Sequence, residues 1–196
     1  MDKYILILTD TFEEVEALTQ VDYLRRADIK VDMISITGKL QVTSNRGITV
    51  LADDLIENIS IKEYVGIIIP GGLPAAFDIR NDERVLDIIK KFDEEHKLIS
   101  AICAGPSVLA KAGVLSGRNA VIYPGMEDEL LDTNIKEDAI CIDDNIITAR
   151  GAGLAGELAY TLIRKIKGKV QEKQVRFMSV DYLLRDFILK EEKNGK

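Results

Sequence analysis

The sequence predicts an α/β protein built on a largely parallel, doubly wound sheet. Three observations predict it. Continuous apolar runs such as Tyr4-Ile5-Leu6-Ile7-Leu8 are what a parallel strand requires when helices cover both its faces. Apolar stripes of helical period alternate with those runs along the chain, the β-α-β order of a layered sheet. Finally, Ile99-Ser100-Ala101-Ile102 breaks at Cys103 and resumes as a helix at Pro106-Ser107-Val108-Leu109. Such a strand-to-helix junction lifts a side chain clear of the backbone, as in the nucleophile elbow of hydrolases.

Taken in order, the first strand, Tyr4–Leu8, gives way to Thr9-Asp10-Thr11, a polar turn suited to capping. A helix follows with Ala17, Leu18, Val21 and Leu24 on one stripe. Residues 29–36 read as a second strand. Val42-Thr43 and Ile48-Thr49-Val50 flank Ser44-Asn45-Arg46-Gly47, a hairpin turn in which Asn and Gly tolerate positive φ. Val65 to Ile69 is a third buried strand, ended by Pro70-Gly71-Gly72. Val85, Ile88, Ile89 and Phe92 then mark a helix. The cysteine strand and its helix come next, with Gly113 as the stop, and Ala120-Val121-Ile122 is a further short strand. Ile140-Cys141-Ile142 and Ile146-Ile147-Thr148 form a second hairpin around Asp143-Asp144-Asn145. Arg150-Gly151-Ala152-Gly153 reads as tight packing before a helix carrying Leu154, Leu158, Leu162 and Ile166. Val180 to Ile188 is a helical C-terminal segment, and residues from about 190 to 196 read as a frayed tail. With no linker, repeat or low-complexity tract, one domain spans 1–196.

Composition narrows the class. The 196 residues, 46% hydrophobic and 30% charged, suit a globular chain that buries roughly seventy per cent of its unfolded surface. A net charge of -7 argues against nucleic acid or an anionic membrane as partner. Two cysteines are too few for a disulfide scaffold. The start Met1-Asp2-Lys3-Tyr4 lacks the pattern of a signal peptide, and no apolar run approaches the roughly 18 residues of a membrane span. The chain reads as cytoplasmic and reduced. One histidine and two separated cysteines do not make a zinc site, and Gly113-Val114-Leu115-Ser116-Gly117 lacks the lysine of a phosphate-binding loop. No metal or cofactor is expected.

In a doubly wound sheet, ligands sit outside the carboxyl ends of the strands. Three turns bring suggestive residues there: Glu13-Glu14-Val15-Glu16, Pro70-Gly71-Gly72, and Cys103. The backbone N–H groups of Gly71, Gly72 and Ala104 are placed to steady an oxyanion. Small residues at 101, 104 and 105 suit a sharp turn. The helix after Cys103 points its positive end at the sulfur, which would favour thiolate and lower the thiol pKa. Taken alone, the segment also fits a buried, inert thiol. Glu13 and Glu14 read as first-turn acids that suit the helix dipole, and position alone leaves the role of Glu16 open. Cys141, in a hairpin strand, reads as a small apolar residue, and His96, in the polar turn Glu94-Glu95-His96-Lys97, as a solvated one.

The stretches Glu13-Glu14-Val15-Glu16-Ala17, Val21-Asp22-Tyr23-Leu24-Arg25-Arg26-Ala27, Ile69-Pro70-Gly71-Gly72, Ala101-Ile102-Cys103-Ala104-Gly105-Pro106 and Thr148-Ala149-Arg150-Gly151-Ala152-Gly153 together resemble the ThiJ/PfpI family, in the branch of the parkinsonism-associated deglycase. The resemblance runs from Tyr4 to about Leu184. It implies a three-layer sandwich of the flavodoxin-like, class I glutamine amidotransferase-like type. It also implies that Cys103 is the nucleophile and redox-active thiol, and Glu16 the carboxyl that hydrogen-bonds it and moves protons. Gly71, Gly72 and Ala104 become the backbone donors, and a homodimer follows, with Arg26 and Arg46 near the subunit boundary. Two departures stand out. The peptidase branch has a histidine directly after the cysteine, where this chain has Ala104. The deglycase keeps a histidine near the nucleophile, at the position of Tyr123. A Cys-His dyad is therefore not expected, although a tyrosine there can still donate a hydrogen bond to a substrate oxygen. The implied activity is cysteine-dependent chemistry on small reactive aldehydes or on glycated protein. The alternatives are a redox sensor or stress chaperone working through Cys103 oxidation and, at a further remove, a cysteine peptidase or amidase.

Overall fold

In a computed structural model of the protein, residues 2–193 are described. They form eleven strands and seven helices. In chain order these are β1 (Lys3–Leu8), α1 (Glu14–Arg26), β2 (Lys30–Ser35), β3 (Gln41–Thr43), β4 (Thr49–Leu51), β5 (Asp54–Leu55), β6 (Tyr64–Ile69), α2 (Ala75–Arg80) and α3 (Glu83–Glu94). There follow β7 (Leu98–Ile102), α4 (Pro106–Lys111), β8 (Asn119–Ala120), β9 (Asn134–Ile135), β10 (Ile140–Asp143), β11 (Ile146–Ala149), α5 (Ala155–Lys167), α6 (Lys169–Met178) and α7 (Asp181–Lys193). Seven strands make the main sheet in the order β10-β11-β7-β6-β1-β2-β5. Every pairing is parallel except the β10–β11 hairpin. The expected doubly wound α/β sandwich is the observed one.

The strands that read as continuous apolar runs are those buried on both faces. Ile5 and Ile7 point to one side, into a core with Val85, Ile89 and Phe92 of α3 and Val108 and Leu109 of α4. Leu6 and Leu8 point to the other, against Ala17, Val21 and Leu24 of α1 and Leu158 and Leu162 of α5. Strand order reverses around β1, whose neighbours are β2 and β6. The turns after β1, β6 and β7 therefore converge at one carboxyl edge, where such sheets bind ligands.

Four features differ from the sequence reading. Ala120-Val121-Ile122 does not add a strand to the main sheet: β8 stops at Ala120 and pairs with β9 in a small separate sheet, because β11 already has β7 and β10 on its two sides. The six residues of α2 are too few to show a helical stripe. Between Ile166 and the last helix lies α6, which buries only Glu172 and Val175 and so carries almost no apolar period. Residues 190–193 continue α7 where fraying was expected, and 194–196 lie outside the described residues.

Core and periphery should respond differently to truncation. Phe92 is fully buried whereas Leu183 on α7 is 52% exposed. Phe92→Ala should cost about 3–5 kcal/mol in urea unfolding, and Leu183→Ala should stay within about 0.5 kcal/mol.

Candidate active site

Cys103 stands where β7 turns into α4. Its φ is +62°, a left-handed conformation uncommon for a side-chain-bearing residue and characteristic of functional turns. The turn closes through Gly105 N–H to the Ile102 carbonyl at 2.8 Å. Glycine is required at 105, since a Cβ there would come 2.7 Å from the Ile69 carbonyl oxygen and 2.9 Å from that of Ile102. Cys103 itself is fixed at both backbone groups. Its N–H donates to Ala149 O at 2.9 Å, and its carbonyl accepts from Tyr123 N–H at 3.0 Å. The strained elbow expected at this junction is present.

Glu16 comes to the sulfur from α1. Glu13, the N-cap, accepts the Glu16 N–H at 2.6 Å, so Glu13 is the helix-starting acid that the sequence suggested. Glu14 is buried in the same first turn. Glu16 is 1% exposed and its Oε2 accepts the Gly71 N–H at 2.8 Å. A Cβ at Gly71 would lie 2.5 Å from that oxygen and 2.7 Å from Cys103 Cβ, so carboxyl, glycine and cysteine are in mutual contact. Gly72, with φ +103°, brings its Cα against the β1–α1 turn, where a Cβ would meet the Thr11 carbonyl oxygen at 2.6 Å.

Burial controls the ionisation of the pair. Loss of water raises the Glu16 carboxyl from 4.5 to about 7; Glu13 adds to the rise, while the Cys103 thiol and Gly71 N–H oppose it. Burial also pushes the Cys103 thiol up to about 12, and the like charge of Glu16 adds to the rise. The backbone N–H groups of Ala104 and Gly72 pull the other way. Burial and the Glu16 charge oppose the depressed thiol pKa expected from the helix end. The donors at the helix end are present, but desolvation and a neighbouring carboxylate outweigh them. Both groups hold their protons more tightly than in water, and the carboxyl and thiol share a proton across one contact.

The backbone donors divide. Gly72 and Ala104 face the sulfur, whereas Gly71 is committed to Glu16 and is not a free oxyanion donor, a correction to its expected role. Tyr123 is half exposed and stands beside the elbow, its ring 3.5 Å from where a Cβ on Gly151 would lie. Nothing comes within 4 Å of a Cβ built on Gly153, so tight packing does not explain the second glycine of that loop. Arg46 is exposed in the β3–β4 turn, which docks on the same end of the molecule through Asn45 N–H to Phe12 O at 3.0 Å. Arg26 pairs with Asp22 at the far end of α1, about 15 Å of helix from Glu16, so the fold does not bring it to the sulfur. His96 lies at the opposite end of β7, its side chain 73% exposed beside Asp144. Cys141 is buried in β10. Sequence reasoning gave Ala149 and Thr148, which lie under the elbow on β11, no role beyond their place in the Thr148–Gly153 stretch.

A family profile for the DJ-1/PfpI family matches residues 2–165. The chain belongs to this family. Among its relatives, Protein dj-1beta of Drosophila melanogaster is 32% identical over 173 residues, covering 87% of this chain and 92% of the relative. A Pyrococcus abyssi protein named a deglycase is 29% identical over 153 residues, 77% of this chain and 91% of that one. Among solved structures, an oxidised Toxoplasma gondii DJ-1 superposes with TM-score 0.88 at 34% identity, covering 92% of this chain and 98% of the other.

The raised carboxyl makes stability pH-dependent. An unfolded Glu16 releases its proton near 4.5 and the folded one near 7, so the folded state binds more protons between those values. Stability therefore falls as pH rises through that window, by about 3 kcal/mol in total. Glu16→Gln should unfold at higher urea than wild type above pH 7, with the difference vanishing below pH 4.5.

Proposed function

We propose that this family member is a cysteine-dependent enzyme acting on reactive carbonyls, either small α-oxoaldehydes such as methylglyoxal or the adducts they form on protein. The observation that carries the reading is the Glu16 carboxyl, 1% exposed, held by the Gly71 N–H against the Cys103 side chain, where burial raises its pKa to about 7. A base tuned close to working pH moves protons most effectively. As the sulfur adds to the aldehyde carbon, its proton passes to Glu16 and the carbonyl electron pair becomes an oxyanion. The Gly72 and Ala104 amides, which face the sulfur, adjoin that oxygen. Glu16 then returns the proton to give a neutral hemithioacetal. Glu16 next takes the hemithioacetal C–H proton while the ketone oxygen is protonated, giving an enediol. Return of the proton to the former ketone carbon, with loss of the hydroxyl proton from the sulfur-bearing carbon, yields the thioester of lactate. Water hydrolyses it to lactate, with no external oxidant or reductant. The deglycase name of the Pyrococcus relative supports extending the substrate class to glycated protein. A homodimer is the assembly we infer, with Arg46 beside the site and Arg26 at the subunit boundary.

A redox role is the second reading. The oxidised state of the Toxoplasma relative and the amides facing the sulfur here favour a Cys103 sulfinate hydrogen-bonded by Glu16. Peptidase or amidase activity is not supported, because His96, the one histidine, is about seven strand residues from Cys103, roughly 20 Å.

Lactate formation from methylglyoxal should be measurable with the wild type and absent in Cys103→Ala; equal rates, or none in either, would remove the carbonyl reading. In graded peroxide, mass spectrometry should find Cys103 oxidised well before Cys141. Equal susceptibility would remove the redox reading.

A further inference from the structure

The two backbone bonds that keep Cys103 in its left-handed conformation have different foundations. The bond from its N–H to Ala149 O extends the β7–β11 ladder and is as firm as the sheet. The bond from Tyr123 N–H to its carbonyl depends on whatever holds residues 121–123, which pair with no strand. Val121 and Ile122 are nevertheless buried, so their backbone groups need partners inside the protein. The Val121 N–H finds one in a side chain, donating to Thr148 Oγ1 at 3.0 Å. Thr148 is 1% exposed and sits opposite Ala101, two residues before the nucleophile. Both edges of β11 are taken by its neighbours, so a hydroxyl stands in for the acceptor that the strand backbone cannot supply. The bonds thus run from β11 through Thr148, Val121 and Tyr123 to the Cys103 carbonyl, and return through Cys103 N–H to Ala149.

We propose that Thr148 is a positioning residue that fixes the reactive geometry of Cys103 through the Val121–Tyr123 segment. This rests on the reading of Cys103 as nucleophile. Thr148 acts entirely through backbone it anchors. Without its oxygen the Val121 N–H is buried and unpaired, the segment shifts to find another acceptor, and the Cys103 carbonyl loses its donor. The left-handed φ is then no longer over-determined, and the sulfur leaves its place between Glu16 and the Ala104 and Gly72 amides.

Thr148→Val removes the acceptor at nearly constant shape, and Thr148→Ser restores it. The measurements are the pH dependence of Cys103 alkylation by iodoacetamide, methylglyoxal kinetics, and the urea midpoint for each variant. With Thr148→Val, alkylation should titrate as an ordinary thiol near 8.5, and kcat should fall at least about tenfold with KM within about twofold. Thr148→Ser should return both to wild type. A Thr148→Val protein with a lowered urea midpoint but the wild-type alkylation profile would overturn the proposal, since the hydroxyl would then matter only for stability. Should that variant not fold, Thr148→Ala, which leaves room for water at the Val121 N–H, is judged by the same profile. If the wild type forms no lactate, the carbonyl reading fails while the alkylation profile still decides the role of Thr148.

Discussion

The hydrogen bond from Gly71 N–H to Glu16 Oε2, 2.8 Å long and out of water, is the contact on which the arrangement turns. It joins the first turn of α1 to the turn after β6, and the space it closes is the space into which Cys103 projects. Only glycine permits it, because a Cβ at 71 would meet both the carboxyl oxygen and the cysteine Cβ below 3 Å. It also satisfies one oxygen of a buried acid while the other, Oε1, has no hydrogen-bond partner of full geometry among the described residues. An acid so placed is expensive to ionise, and the rise of its pKa to about 7 follows. The conditions that cost the fold stability are those that tune the carboxyl to accept and return a proton near neutrality.

Most of the fold was legible in the sequence because its strands announce themselves. β1, β6 and β7 are short apolar runs ended by Thr, Pro-Gly or a cysteine turn, and α3 shows its buried stripe without ambiguity. What escaped lacks that signature. The helix α2 is less than two turns long, and α6 faces solvent along most of its length. The stretch 120–122 looked like a strand because it is apolar and buried, but burial there comes from lying over the sheet. Periodicity reports which side chains are inside; whether a backbone joins a ladder depends on which strand edges remain free.

The site was legible in its members but not in its electrostatics. Cys103, Glu16, Gly72 and Ala104 meet as expected, and Tyr123 stands beside them. The direction of the thiol pKa was misjudged because sequence shows the helix that follows Cys103, not the depth of the sulfur or the charge across from it. Sequence shows Gly71 as a free amide, not the Glu16 carboxyl already bound to it. The role of Thr148 is illegible for a related reason: a threonine in a strand carries no mark of an Oγ1 that serves the backbone of a remote loop.

The absence of a histidine near Cys103 bears on which chemistry the site can serve. A cysteine peptidase needs an imidazolium both to keep the sulfur ionised and to protonate an amine leaving group. Here the group beside the sulfur is a carboxyl whose burial raises its pKa to about 7. Such a group can take a thiol proton while a carbon–sulfur bond forms, and can hand it to an alkoxide, which is far more basic than itself. Expelling the amide nitrogen from a peptide's tetrahedral intermediate asks for an acid that stays protonated through the collapse, with a cation's field behind it. Addition to an aldehyde requires neither, because that step expels no group, and hydrolysis of a thioester expels only a thiolate, a far better leaving group than an amide nitrogen.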